Sequence, residues 1–201
     1  MKRDFKLVPD PTLLLSKEEW EAYLINREQS MISFQRPYIF AYFLGYNQKQ
    51  RDDCIKFAKD RGLDIYFVPF MKKESYSWDR KNLEYAVENL KVENFIDLVR
   101  NAELVLTDSF HGAVFSCIFE RPFYVLNRQL IGNEKSMNSR LHTLFYHLKI
   151  DRSRMIDEVL SINNYKFTEN ELKDIVESKD KCKISGLRYL EKALRKVKEN
   201  E

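Results

Sequence analysis

Hydrophobic residues along this chain form two kinds of run: short unbroken ones rich in aromatic and β-branched side chains, and longer ones where they recur every three or four positions among charges. The first kind predicts strands buried on both faces, the second helices with one buried stripe. After an irregular, Pro-containing opening, Lys17 to Ile25 carries Trp20, Tyr23 and Leu24 at helical spacing behind Ser16, a residue type suited to a helix N-cap. The stretch RPYIFAYFLGY reads as a buried strand ending at Gly45, QKQRDDCIKFAKDRG as a helix closed by Gly62, and LDIYFVPF as a second strand. Beyond a polar stretch from Met71 to Asn82, the pattern predicts a helix near Asn94 to Asn101 and a strand from Glu103 to Leu106. A helix near Ser109 to Phe119 and a strand from Phe123 to Leu126 follow. From Ser139 onward SRLHTLFYHL, TENELKDIVESKDKC and SGLRYLEKALRKVKENE read as successive helical segments, the last with Leu187, Leu190 and Leu194 on one face and a basic flank.

Strands alternating with helices imply an α/β fold, a Rossmann-like parallel sheet with helices on both faces. A single domain over 1–201 is expected, with an irregular and helical lead-in over 1–30 and a helical part over 139–201. Such sheets bind ligands at the carboxyl ends of their strands. In AELVLTDSFHGAVFSCIFERPFYVLNR that position falls on a dense polar cluster, Thr107, Asp108, Ser109 and His111, and the loop from Asn127 to Asn138 is expected to open onto the same rim. Asp108 is expected to cap the following helix with His111 three residues on, while Gly112 leaves the first turn unobstructed. The unpaired N–H groups and positive dipole end of such a turn attract anions. NSRLHTLF repeats the arrangement, with Ser139 as cap, Arg140 at the first helical position and His142 three residues after the cap. The planar guanidinium of Arg140 suits a carboxylate or phosphate. If both turns face one cleft they make a dianion site with two imidazoles beside it; otherwise Asp108 is a plain cap and His111 bonds a neighbouring loop. His147, five residues past His142, falls off that face and is expected to be structural.

Composition narrows the partners. With 44% hydrophobic and 13% aromatic residues, 201 residues supply a core of ordinary size. The 34 Lys and Arg against 31 Asp and Glu leave +3, short of the basic excess of nucleic-acid-binding domains, so no nucleic acid partner is expected. Cys54, Cys117 and Cys182 are odd in number and lack metal-like spacing, which argues against a disulfide framework and for a reducing, cytoplasmic setting. The apolar runs are shorter than the about 20 residues that cross a bilayer, and Pro9, Asp10 and Pro11 make the opening a poor signal peptide. Ser109 lacks the flanking glycines of a nucleophile elbow, and no dinucleotide or P-loop glycine pattern follows any strand. Zinc would need His111, His142 and a carboxylate from distant segments, so no metal is expected. Tyr76 and Trp78 suit either stacking on a sugar ring or filling a satellite core.

The run TDSFHGAVFSCIFERPFYVLNR resembles the signature of the polysaccharide pyruvyl transferase family. VPDPTLLLSKEEW resembles the Asp-Pro-Thr segment that enters that family's C-terminal half, NFIDLVRNAELVLTDSFHG its helix-strand-motif passage, and SRLHTLF its Arg-Leu-His segment. The resemblance runs from Val8 to about Leu148. It implies the C-terminal, Rossmann-like half of a GT-B-type fold, with the other wall of the cleft on an N-terminal domain or partner chain.

The implied reaction transfers pyruvate from phosphoenolpyruvate, as a ketal, onto two hydroxyls of a glycan or lipid-linked sugar acceptor for a cell-surface or exopolysaccharide. Phosphoenolpyruvate is the donor substrate and no cofactor is implied; the setting is the cytoplasm, with peripheral association with membrane-bound glycan assembly. Arg140 then binds phosphoenolpyruvate, and His142 contacts phosphate or acts as general acid. His111 is the other acid or base, and Asp108 is its orienter or the sugar-hydroxyl partner. Ser109, Gly112, Asn127 and Ser139 complete the substrate-binding set. Two alternatives stay open: a GT-B-type glycosyltransferase domain using a nucleotide-sugar donor, and a non-catalytic carbohydrate-binding or assembly domain.

Overall fold

The computed structural model describes residues 8–25, 34–45, 47–69, 77–87, 90–128 and 138–198. Strands β1 (Tyr38–Tyr42), β2 (Asp64–Phe67), β3 (Leu104–Thr107), β4 (Phe123–Leu126) and β5 (Met155–Ile156) form a parallel sheet in the order β2-β1-β3-β4-β5. Among them run helices α1 (Lys17–Ile25), α2 (Gln48–Asp60), α3 (Ser77–Lys81), α4 (Val92–Asn101), α5 (Phe110–Ile118), α6 (Asn138–His147) and α7 (Glu169–Lys198). The chain moves outward from β1 to β2, then crosses back to place β3 on the other side of β1. The loops after β1 and β3 therefore diverge between neighbouring strands, the switch point where open α/β sheets hold ligands. Tyr42 pairs with Thr107 in register, so the two carboxyl ends lie level.

Each strand feeds two cores, as expected for a sheet covered on both faces. Tyr38 and Phe40 pack with Ile96 of α4, Ala113 and Val114 of α5, Leu144 and Leu148 of α6, and Ile175 of α7. Ile39 and Ala41 point the other way, onto Cys54 and Phe57 of α2, with Leu104, Leu106 and Val159. Trp78 is 6% exposed, meets Phe67 edge-on at 5.0 Å and donates its indole N–H to Asp52 Oδ1 at 2.7 Å, so it fills the second core. Tyr76 lies outside the described residues.

Local chemistry sets the helix ends. Ser16 and Glu19 form a reciprocal capping box at α1, the Glu19 N–H donating to Ser16 Oγ at 3.2 Å and the Ser16 N–H to Glu19 Oε2 at 2.6 Å. Gly62 takes φ +65° just past α2, the left-handed turn that closes a helix.

The last two helical segments anticipated from the sequence are instead one 30-residue helix, α7. Gly186 does not break it: a Cβ there would strike the Leu14 side chain and stand 2.7 Å from Pro9 Cγ. The glycine admits the lead-in, whose 3₁₀ turn Pro11–Leu14 lies against α7 with Leu13 buried. Arg154 ties the other end of α7 to the sheet, bonding Glu171 through Nε and Nη2 and donating to the carbonyls of Phe123, Tyr165 and Lys166. No helix among the described residues is long and apolar enough to cross a membrane.

Candidate functional site

The site begins where β3 ends. Thr107 donates its hydroxyl to the Tyr42 carbonyl at 2.6 Å and accepts from the Ser109 N–H at 3.0 Å, which locks the turn into α5. Ser109, not Asp108, is the N-cap of α5, and its Oγ accepts from the Gly112 N–H at 3.5 Å. Asp108 is drawn the other way. Its Oδ1 accepts from the Leu44 N–H and its Oδ2 from the Gly45 N–H, each at 2.7 Å. Arg128 donates Nη2 to the Asp108 carbonyl at 2.9 Å and holds Nε 3.3 Å from Oδ2. Asp108 is 3% exposed and fastens the loop after β1 and the residues after β4 to the end of β3. Its charge also reaches Tyr42, whose phenol is pushed above its ordinary range by burial and then by Asp108.

Gly112 has a different reason from the one its sequence position suggested. A Cβ there would meet Thr107 Oγ1 at 2.5 Å and Thr107 Cβ at 3.0 Å, so the glycine lets α5 pack on the strand end. It is buried and does not clear a path for ligand.

Above this scaffold lies a charged rim built from separate parts of the chain. Asp10, between Pro9 and Pro11, caps the 3₁₀ turn, its Oδ1 accepting from the Thr12 N–H at 3.1 Å and the Thr12 hydroxyl at 2.7 Å. That leaves Oδ2 facing two cationic or titratable groups, His111 Nε2 at 3.6 Å and Arg140 Nη2 at 3.9 Å. Arg140 lies over the Phe110 ring, its Cζ 4.2 Å from the centroid. Both His111 and Arg140 are about half exposed, at 49% and 48%. The first turn of α5 and the first turn of α6 do face one another, through these two side chains.

Two cavities flank the Phe110–Arg140 stack. One of about 70 Å³ is lined by Leu44, Asp108, Ser109, His111, Arg128 and Arg140. The other, about 440 Å³, combines the apolar Val8, Leu13, Leu144 and Leu148 with Asp10, Arg140 and His147. His142 lines neither and is exposed. It follows Arg140 by two residues, roughly 200° around the helix, whereas His147 follows by seven and returns to the same face. His147, expected to be structural, thus opens on the larger cavity, whereas His142, expected to contact the donor, lines neither cavity. Ser139 lies inside the first turn of α6, which starts at Asn138, and its carbonyl accepts from Thr143 Oγ1 at 2.9 Å. It is therefore not the cap.

Asn127 is exposed, donates its side-chain amide to Asp157 and accepts from Gln50 Nε2 at its carbonyl, and it lines neither cavity. Residues 129–137 of the following loop lie outside the described residues. Asp10, Phe110, Arg128 and His147 were absent from the candidates drawn from sequence. Pairing Arg140 with His147 at seven-residue spacing would have found one of them; Asp10 had only its place in the Asp-Pro-Thr segment.

The family model for polysaccharide pyruvyl transferase matches residues 1–129. This chain belongs to that family. The match takes in Asp10 and the cluster from Asp108 to Gly112, with Asn127 and Arg128, and ends before α6 brings in Ser139, Arg140 and His142. A search of curated protein sequences gave no significant match. Among solved structures the chain is similar to the glycotransferase of kitacinnamycin, at 12% identity and a TM-score of 0.49, over 84% of this chain and 46% of that one. It is also similar to UDP-GlcNAc 2-epimerase from Methanocaldococcus jannaschii, at 14% and 0.38, over 80% and 42%. The iron-containing dodecameric glycosyltransferase TibC from enterotoxigenic E. coli matches at 11% and 0.37, over 83% and 48%. The chain spans about half the length of these structures.

Proposed function

We propose that this domain carries the donor side of a pyruvyl transfer, binding phosphoenolpyruvate at the charged rim for ketal formation on two sugar hydroxyls. The observation that supports this most directly is the convergence of His111 and Arg140, from different helices, within 4 Å of one Asp10 oxygen at the switch point. Phosphoenolpyruvate presents a carboxylate and a phosphate. Arg140 has the planar fork for one of them, and Arg128, at the wall of the small cavity, adds positive charge for the other. Arg140 is half exposed, and among the described residues it is held by its ring contact and a long ion pair, an arrangement that lets it exchange Asp10 for a ligand anion.

The chemistry needs an acid to protonate the donor's methylene carbon and a base to take a hydroxyl proton. His111 stands at the rim for the acid. Proton transfer to the methylene carbon leaves the neighbouring carbon electron-poor, a sugar hydroxyl oxygen attacks it, and its proton passes back to the now neutral imidazole. Attack by the second hydroxyl closes the ketal as the carbon–oxygen bond to phosphate breaks, and the hydroxyl proton leaves on the released phosphate. Well-placed general acid catalysis supplies about 10²- to 10⁴-fold, and charge stabilisation and orientation the rest. Asp108, fully engaged with backbone N–H groups, serves this reading as scaffold in place of the orienting or hydroxyl-binding role first assigned to it.

Calorimetric titration with phosphoenolpyruvate tests the reading. Saturable binding is expected, lost in Arg140→Ala and kept in His111→Ala, which should instead slow turnover. Binding of a nucleoside diphosphate without phosphoenolpyruvate would overturn it in favour of a nucleotide-sugar donor, and equal loss of binding in both variants would overturn the division of roles.

A further inference from the structure

We infer that Asp10 is the residue that orients His111, fixing which ring nitrogen carries the proton and turning the other toward the ligand. The sequence offered Asp108 for this task, three residues before His111, but both Asp108 oxygens accept backbone N–H groups on the far side of the turn. Asp10 comes from a segment a hundred residues earlier and has the geometry that Asp108 lacks. Its Oδ1 is held by the Thr12 N–H and hydroxyl, prolines on either side stiffen its backbone, and Oδ2 is left 3.6 Å from His111 Nε2. Gly186 allows the lead-in to lie close on α7, which holds the carboxylate in place.

A carboxylate only accepts hydrogen bonds, so an imidazole nitrogen that closes the 3.6 Å gap to it carries hydrogen and the other becomes the one that meets substrate. The charged groups around His111 are Asp10 from the lead-in, Arg140 from α6, and Asp108 with Arg128 across the small cavity. Of these, among the described residues, Asp10 alone makes an ion-pair contact with the ring. That arrangement leaves Nδ1 as the nitrogen that exchanges a proton with substrate in the proposed reaction; that consequence rests on the reading above, whereas the contact does not.

Asp10→Asn isolates the contact. The amide oxygen keeps both Thr12 bonds while an NH₂ group replaces the oxygen facing His111. Nitrogen-15 shifts of the His111 ring, read at a pH where the ring is neutral, are expected to show the Nε2–H tautomer in the native protein and a shift toward Nδ1–H in the variant. Asp108→Asn is expected to leave the native tautomer in place. In a form that turns over, Asp10→Asn should lower kcat by about 10-fold or more with KM for phosphoenolpyruvate changed less than about 2-fold, and Asp10→Glu should restore part of the rate. An Nδ1–H tautomer in the native protein, or the same tautomer in native protein and Asp10→Asn, overturns the inference. A tautomer switch in a protein that does not bind phosphoenolpyruvate would instead sustain the inference and overturn the proposed donor.

Discussion

Asp108 and Asp10 stand at the same edge of the sheet, each beside an arginine, and do opposite things. Asp108 is buried with both oxygens on backbone N–H groups, while Asp10 spends one oxygen on its own turn and shows the other to His111 and Arg140. Backbone donors cannot swing away when a ligand arrives, whereas half-exposed side chains can. The buried aspartate builds the platform, and the rim aspartate is the one on which the proposed chemistry draws. A polar cluster in a sequence can therefore divide into a structural layer and a reactive layer that residue type does not distinguish.

The largest effect that would test this division is on folding stability. Asp108→Ala leaves the Leu44 and Gly45 N–H groups unpaired and Arg128 beside a lost counter-charge, the kind of change that costs about 3–5 kcal/mol. Urea unfolding measures it, and a loss below about 1 kcal/mol would mean that Asp108 is not the fastening described. Gly112→Ala comes next, at about 1–3 kcal/mol, because its methyl group must displace Thr107. Combining it with Thr107→Ala should recover part of that loss, a coupling that two independent sites would not show. On the rim, Arg140→Ala should move stability by no more than about 0.5 kcal/mol while removing donor binding, so that stability and binding sort the residues into the two layers.

Much of the fold was legible because its signals are local. The unbroken apolar runs marked β1 to β4, and Gly62 and Ser16 marked helix ends through their own turns. Cap identity was off by one at Asp108 because Asp and Ser are equally good caps, and only the tertiary pull of Leu44 and Gly45 decides between them. The two last helical segments read as separate, and what Gly186 does inside the single helix was out of view because the residues that need its missing side chain, Pro9 and Leu14, are over 170 positions away. Separation along the chain likewise hid Asp10 from His111. Arg140 and His111 were both found in the sequence, but the facing of α6 was misjudged by counting from a cap to His142 and not from Arg140 around the helix to His147.

A third carboxylate gives the smallest and most specific contrast. Glu171 sits far from the rim, where it bonds the buried Arg154 and accepts from the Thr168 N–H at 2.8 Å. Burial alone would push its carboxyl up, but the Arg154 hydrogen bonds, followed by the Thr168 N–H, outweigh it and hold the group below its ordinary value of 4.5. A carboxyl held low in the folded state stabilises it fully above its unfolded value and loses that contribution as pH falls through the folded one. Native protein should therefore be more stable than Glu171→Gln at about pH 7, with the gap closing as pH falls below about 4.5, as denaturant midpoints at each pH would show. Phosphoenolpyruvate binding by the same variant should be unchanged, since Glu171 lines neither cavity at the rim. A gap that stayed constant as pH fell well below about 4.5 would mean that the Arg154 bond does not depend on the carboxylate charge. Loss of donor binding in Glu171→Gln would show instead that the far end of α7 and the rim are coupled through the lead-in, and the two layers would then have to be treated as one.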